Sequence, residues 1–296
     1  MLGRFVSFAQ NGEDVILNRV LAGIEVGFYV EVGANHPTID SVSRSFYNRG
    51  WSGIAIEPSP VFAALFRDER PRDTVIEAAA TSSTLANITL HLIADTGLST
   101  VVDKISGIHV DHGFTVTDVV VPTVRLDDAI RENGLAGVDI HFLMIDTEGA
   151  ELQVLSSIDL AAIRPWILII EATAPGTTTP THDVWEHLVV DAGYVYCQFD
   201  GLSRYYVAQE KYSDLGAKLS YPVCIFDDFD TLWKLDMEAR IKDLQGQLSN
   251  SENETLETRL RLESMTASRA WKVTHPIRAI RRRFFSAGDG PDKTLR

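Results

Sequence analysis

The chain has little that would stabilise it by anything other than a packed core. Two cysteines, Cys197 and Cys224, stand far apart in 296 residues. Each sits in an apolar run, so buried reduced thiols are expected rather than a disulfide, and no Cys/His spacing of a zinc site exists. No apolar run approaches the roughly 18 residues that a membrane-spanning helix requires. The first fourteen residues carry no long apolar stretch, so no signal peptide is expected and the expected compartment is the cytoplasm. Positive charge is also short: 27 Lys and Arg against 41 Asp and Glu give −14. Such a balance speaks against nucleic-acid binding. The deficit is uneven. Residues 266–296 carry eight basic and two acidic side chains, a net +6, which leaves −20 on the remainder. A basic tail on an acidic body points to a partner of its own for the tail.

A further absence is chemical. The run Gly27-Phe28-Tyr29-Val30-Glu31-Val32-Gly33 reads as a strand entering a tight turn, and Gly53-Ile54-Ala55-Ile56-Glu57 as a second strand ending on a carboxylate. That is the layout of a nucleoside-binding βαβ unit. A dinucleotide fingerprint has three glycines; here Gly33 is followed by Ala34-Asn35-His36-Pro37, a poor cradle for a diphosphate. Glu31 would repel phosphate and suits a cationic ligand. S-adenosylmethionine, with a sulfonium and an ammonium, fits better than NAD. Glu57 is placed to accept hydrogen bonds from ribose hydroxyls. Glu31, Gly33, Asn35, Glu57, Ser59 and Asp146 form the expected cofactor set.

What remains reads as alternating strands and helices: an α/β fold with a mostly parallel sheet and an antiparallel C-terminal hairpin. Helices are expected over 7–21, 41–49, 60–66, 126–133, 148–156 and 183–192. Strands are expected near 28–32, 53–57, 74–79, 141–146, 166–171, 194–199 and 204–208. Residues 86–123, rich in β-branched side chains, are expected to form short strands or a lid. The domain is drawn at 1–230. A helical extension at 231–265 has an apolar stripe, Met237, Ile241, Leu244 and Leu248, that suggests a short coiled coil and self-association. The basic amphipathic tail is drawn at 266–296, its last residues disordered.

Glu57, Asp146 and Glu171 end strands, and with Glu31 they converge on one acidic crevice. Asp146 and Glu148 are placed to contact the cofactor, an acceptor hydroxyl or a metal; Asp146, Glu148 and Glu171 offer the hard oxygens that a divalent ion takes. Ser99, Glu148 and Glu171 are the expected acceptor contacts. His36 and His182 are the first candidates for a general base, with Asp146 the carboxylate alternative.

At these residues a resemblance becomes specific. Phe8–Leu17, Glu31–Pro37, Arg49–Pro58, Gly97–Thr100, His141–Glu151, Ile170–Thr173 and Asp200–Tyr206, in that order, resemble the FkbM family of S-adenosylmethionine-dependent methyltransferases. The resemblance implies a class I methyltransferase fold and O-methylation, commonly of sugars. It places Glu31 and Gly33 at the methionine end of the cofactor, Glu57 at the ribose and Asp146 near the methyl. Ser203 stands where the family's run would have asparagine. The segment Ser268–Arg278 is similar to tails of bacterial glycosyltransferases and other surface-polysaccharide enzymes. Together they imply methylation of a surface glycan or glycolipid precursor. The tail's contact would then be the inner membrane or a glycan-assembly protein. The competing expectations are an NAD-linked sugar oxidoreductase and a non-catalytic scaffold.

Overall fold

In the computed structural model the described residues are 4–94, 96–134, 137–274 and 276–277. The chain divides into two units, Met1–Leu232 and Trp233–Arg296.

The first unit opens with β1 (Phe5–Ser7) and α1 (Glu13–Val20). The helix is shorter than expected because Asp14 accepts from Ser7 Oγ and Phe8 N, both at 2.7 Å, and so fixes a turn ahead of it. Next come β2 (Phe28–Val32), α2 (Arg44–Asn48), β3 (Ser52–Ile56), α3 (Pro60–Glu69) and β4 (Thr74–Ile76). Pro60 opens α3, where a missing N–H costs nothing. The expected lid region holds β5 (Ala79–Ala80), β6 (Asn87–Leu92), α4 (Asp103–Asp111) and β7 (Thr117–Val124). α5 (Leu126–Glu132), β8 (Phe142–Ile145), α6 (Glu151–Leu155) and β9 (Ile167–Glu171) follow. α6 starts three residues later than expected, because Glu148 and Gly149 have φ of 49° and 95°. Then come α7 (Glu186–Val190), β10 (Tyr194–Phe199), β11 (Ser203–Ala208), α8 (Tyr212–Leu219) and β12 (Phe229–Thr231).

Seven strands form one sheet in the order β10-β11-β9-β8-β2-β3-β4. β2, β3, β4, β8 and β9 pair in parallel, and β11 is antiparallel to both its neighbours. The strand alternation splits the core in two. Val30, Ile54, Leu143 and Leu168 face α5, α6 and α7, packing with Ile130, Val154 and Val189. Tyr29, Phe142, Ile167 and Tyr205 face the other way, against Leu17, Phe46 and Leu219. Ile167–Glu171 is buried along its whole length, as a central strand covered on both faces must be. A separate three-stranded sheet, β5-β7-β6, caps one end with its own small core of Ala79, Leu90 and Val121.

β1 and β12 pair in parallel, Phe5 with Phe229 through Ser7 with Thr231. Neither this pairing nor α8 is apparent in the sequence pattern. Chain order reverses at β2: β3 and β4 lie on one side, β8 and β9 on the other. Ligands in such sheets bind beyond the strand ends at that point of reversal.

The second unit contains nearly all of α9 (Leu232–Ala267), 36 residues with no proline. It runs through Ser251, where the apolar stripe lapses, and carries (i, i+4) ion pairs such as Arg259–Glu263 at 3.5 Å. Of the basic tail, residues 278–296 lie outside the described residues, including the end expected to be disordered.

Candidate active site

The turn after β2 sets the geometry. Gly33 has φ of 77°, and a Cβ built on it would lie 1.7 Å from the backbone oxygen of Asp146. Only a bare backbone fits between the ends of β2 and β8. The N–H of Gly33 donates to Ile56 O at 3.0 Å, which ties the turn to the end of β3. Asn35 then takes a left-handed φ of 51°, which asparagine tolerates better than most residues. Its N–H donates to Glu57 Oε2 at 2.7 Å, and the N–H of Ser59 donates to Glu57 Oε1 at the same distance. Burial raises the Glu57 carboxyl to about 7, against the opposing pull of those two amides. Each oxygen keeps a lone pair for a further donor.

Around this turn lies a cavity of about 580 Å³ of empty space. Gly33, Glu57, Phe62, Ala79, Ser99 and Asp146 are among the residues that line it. Its lining combines apolar side chains with the acids Glu57, Asp146 and Glu148, as a ligand with an aromatic base and a cationic tail needs. The unpaired buried Oδ1 of Asn35 borders the same space. These features fit S-adenosylmethionine: Glu57 for the ribose, the bare Gly33 backbone for close approach, Asp146 toward the charged end. Ser59 is buried, lines no described cavity, and serves through its N–H to Glu57. Ser99 borders this first cavity and accepts from Ile93 N at 3.1 Å.

A second cavity, with about 950 Å³ of empty space, opens beside the first. Five carboxylates border it, those of Glu13, Glu31, Asp40, Asp146 and Glu148, and no Lys, Arg or His among the described residues. The two cavities share Gly33, Asn35, Gly97, Asp146 and Glu148.

Glu31 is already engaged. It accepts from Ser43 N at 2.9 Å and Ser43 Oγ at 2.6 Å, and Arg70, fully buried, stands 3.8 Å away. Burial raises its carboxyl, and Arg70 and Ser43 work against that rise. Much of the negative charge expected to attract a cationic ligand is therefore answered within the protein.

Asp146, Glu148 and Glu171 are brought together, with one carboxylate oxygen of each within 4.8 Å of the others. Burial and the neighbouring Asp146 charge push the Glu171 carboxyl up to about 12, and burial likewise takes Glu148 to about 8. Asp146 is raised by burial and held back by a hydrogen bond from Glu171. Glu151, the first residue of α6, accepts from the N–H groups of Thr147 and Gly149 and from Thr147 Oγ1. It braces the loop that carries Glu148.

The structure does not bring the two histidines to this centre. His36 Nδ1 accepts from Thr38 N and Ile39 N, both at 3.0 Å, so that ring nitrogen stabilises its own turn. His182 lies 3.3 Å from Asp183 and 4.0 Å from Glu186. Neither histidine lines either cavity. Two residues assigned no role from sequence, Gln10 and Glu13, do line the second cavity. Their signal was the polar run Gln10-Asn11-Gly12-Glu13 ahead of an apolar helix face.

A family model described as "Methyltransferase FkbM domain" matches residues 31–196. No curated protein sequence matches the chain. Among solved structures, the chain is similar to methyltransferase FkbM from Methylobacillus flagellatus KT, at 14% identity and a TM-score of 0.34. That match covers 62% of this chain and 44% of the Methylobacillus chain, so this chain spans less than half of that protein's length. A TehB-like SAM-dependent methyltransferase from Corynebacterium glutamicum aligns at 7% identity over 67% of this chain and 88% of its own, with a TM-score of 0.37. Precorrin-6y C5,15-methyltransferase from Geobacter metallireducens GS-15 aligns at 11% identity over 66% and 87%, with a TM-score of 0.32.

Proposed function

The chain belongs to the FkbM methyltransferase domain family, and from that premise we propose that it transfers a methyl group from S-adenosylmethionine to a hydroxyl oxygen of a sugar. The observation that carries this reading is the wall of Gly33, Asn35, Gly97, Asp146 and Glu148 shared by two cavities. One cavity is half apolar, with a carboxylate for a ribose; the other is bordered by hydrogen-bonding groups and carboxylates. A neutral polyol finds acceptors there for its hydroxyls, whereas a phosphate or carboxylate would be repelled.

When bound, S-adenosylmethionine supplies an electrophilic methyl group on a sulfonium. The residues of this chain do the rest. Glu57 and the Gly33 turn hold and orient the nucleoside. Gln10, Asn35 and Ser41 are available to hydrogen-bond the acceptor. Asp146, on the shared wall, is placed to take the hydroxyl proton, a role worth about 10²–10⁴-fold. Alignment of acceptor oxygen with the methyl across the wall contributes the larger share. The redox alternative gives way to the family match, and the intact acidic crevice favours a working catalyst over a scaffold.

A surface glycan or glycolipid precursor as acceptor is supported by the similarity of Ser268–Arg278 to the tails of polysaccharide enzymes. Attachment to the inner membrane through that tail is part of the same reading; among the described residues no helix is long and apolar enough to cross a membrane. The stripe of Met237, Ile241, Leu244 and Leu248 on α9 supports self-association, which sedimentation equilibrium would read as a dimer lost on deletion of 233–296.

The reaction is tested by incubating the purified chain with S-adenosylmethionine and a panel of neutral, amino and acidic sugars. S-adenosylhomocysteine release is followed, and the product's methyl is located by NMR. Methyl ether formation on a neutral sugar is expected. Methyl on carbon or nitrogen, or turnover confined to acidic acceptors, would overturn the reading.

A further inference from the structure

The acids of this domain are treated in two ways. Asp14 has Ser7 Oγ and the N–H of Phe8; Glu31 has Ser43 and Arg70; Glu57 has two amides; Glu151 has three donors. Asp146, Glu148 and Glu171 have only one another: Asp146 accepts from Glu171, and no donor outside the cluster reaches their carboxyl groups among the described residues. No Lys, Arg or His among the described residues is paired with any of the three, although one oxygen of each lies within 4.8 Å of the others. Glu171 is only 5% exposed, and its Oε2 has no hydrogen-bond partner. Glu148 Oε2 is likewise buried and unpartnered. A buried acceptor left without a donor has given up its hydration with nothing in exchange, and the loss is greater when it is charged. Two such oxygens in one cluster leave room for a counter-charge from outside the chain.

We propose that Asp146, Glu148 and Glu171 bind a single hard divalent cation of the magnesium, manganese or calcium class. The donor set is all carboxylate oxygen, with no sulfur or imidazole among the three, which selects hard ions over zinc or copper. Oxygen ligands of such ions lie roughly 2.0–2.6 Å from the metal. Three oxygens no more than 4.8 Å apart can therefore surround one ion with little movement. The ligands come from the ends of β8 and β9 and from the loop braced by Glu151, so the backbone presets them. Three carboxylates fall short of the six to eight ligands these ions take. The remaining positions go to water or to an oxygen of a molecule in the second cavity, which Asp146 and Glu148 border. That last step rests on the sugar methyltransferase reading, under which the ion would orient the acceptor hydroxyl and weaken its hold on the proton. Cation binding itself needs neither cofactor nor acceptor.

The test is a titration of the purified full chain with Mn²⁺, free ion being read by electron paramagnetic resonance. Glu171→Gln and Glu148→Gln remove one ligand charge each at constant shape, and near-ultraviolet circular dichroism checks that each variant is folded. Glu132→Gln, on the exposed end of α5, is the control. One Mn²⁺ per chain is expected, bound at least tenfold more weakly by both cluster variants and unchanged in the control. The proposal is overturned if no Mn²⁺ binds at millimolar concentration, or if both variants bind as the parent does. It is also overturned if saturating S-adenosylmethionine expels the ion, for then the cofactor's own cationic end answers the charge. Calorimetry with S-adenosylmethionine on the same samples separates the two readings. Cofactor binding without Mn²⁺ binding sinks the cation site and leaves the methyltransferase reading standing.

Discussion

The two halves of the crevice solve the same problem differently. At the ends of β2 and β3 the Glu57 carboxylate is held by two backbone amides that belong to the turns it joins. At the ends of β8 and β9 three acids meet with no donor but the Glu171 carboxyl itself, and two of their buried oxygens have no partner. The first half is complete before anything binds and needs only a ligand of matching shape. The second is assembled around a charge that the chain does not supply. On the proposed reading, cofactor binding and acceptor chemistry sit on opposite kinds of ground: one preorganised by hydrogen bonds, the other by the placement of strand ends. The divide falls at Gly33, where the two halves touch.

The sharpest way to break the comparison is to block that contact. Gly33→Ala places a methyl against the Asp146 carbonyl, at a backbone angle that side chains avoid. Overpacking and left-handed strain together should cost about 3 kcal/mol or more. A fall in melting temperature of roughly 6–12 °C is expected, with S-adenosylmethionine binding lost; a variant that melts and binds as the parent does would mean the halves are independent.

Glu57→Ala acts on the first half alone. Losing a charged acceptor for ribose should weaken S-adenosylmethionine by about 3 kcal/mol, more than 100-fold by calorimetry. In the parent, cofactor affinity should also rise as pH passes about 7, because the ribose donors prefer the ionised carboxylate and burial has raised it to that range. In Glu57→Ala this pH dependence should be absent.

Stability should run the opposite way with pH. Glu13, Asp14 and Glu57 are raised by burial from 4.5, 3.8 and 4.5 to about 8, 6 and 7. The folded chain holds those protons over a range where the unfolded chain has released them. The stabilisation is complete below about pH 4 and drains away as pH rises through about 6, 7 and 8, the folded values of Asp14, Glu57 and Glu13. Melting temperature of the ligand-free protein should fall by about 5 °C or more between pH 5 and pH 8; a rise would place these carboxylates in a more polar setting than the structure does.

The smallest effect is expected at the histidines. His182→Ala and His36→Ala should leave turnover within about twofold, since neither side chain lines a cavity. Asp146→Asn should lower it by the 10²–10⁴-fold typical of a lost base.

Much of this was legible in the chain. Apolar runs ending in acids gave the strands, and the lone glycine with its trailing Asn35 gave the turn after β2. The Asp146–Glu148–Glu171 set was readable because strand-end acids of a parallel sheet must share one edge. What sequence could not show was who else was present. Arg70, nearly 40 residues from Glu31, takes much of the charge expected to face a ligand. The histidines looked like bases because His36 stands in the turn after β2 and His182 in the loop after β9; these two turn to their own neighbourhoods. Gln10 and Glu13 escaped notice because their place depends on where α1 packs, a tertiary fact. The three-residue strands β1 and β12 are too short to leave a periodic signature.

That last pairing bears on anyone who would cut or graft this domain. β1 is fastened to β12, Ser45 Oγ of α2 donates to the carbonyl of Val6, and Ser7 grips Asp14 at the head of α1. Through α1 the fastening reaches Gln10 and Glu13, which wall the second cavity. A boundary placed after Thr231 keeps that wall latched. One placed before Phe229 looks harmless on a map of motifs, yet it unhooks the opposite end of the chain and, with it, one side of the chamber where the acceptor would sit.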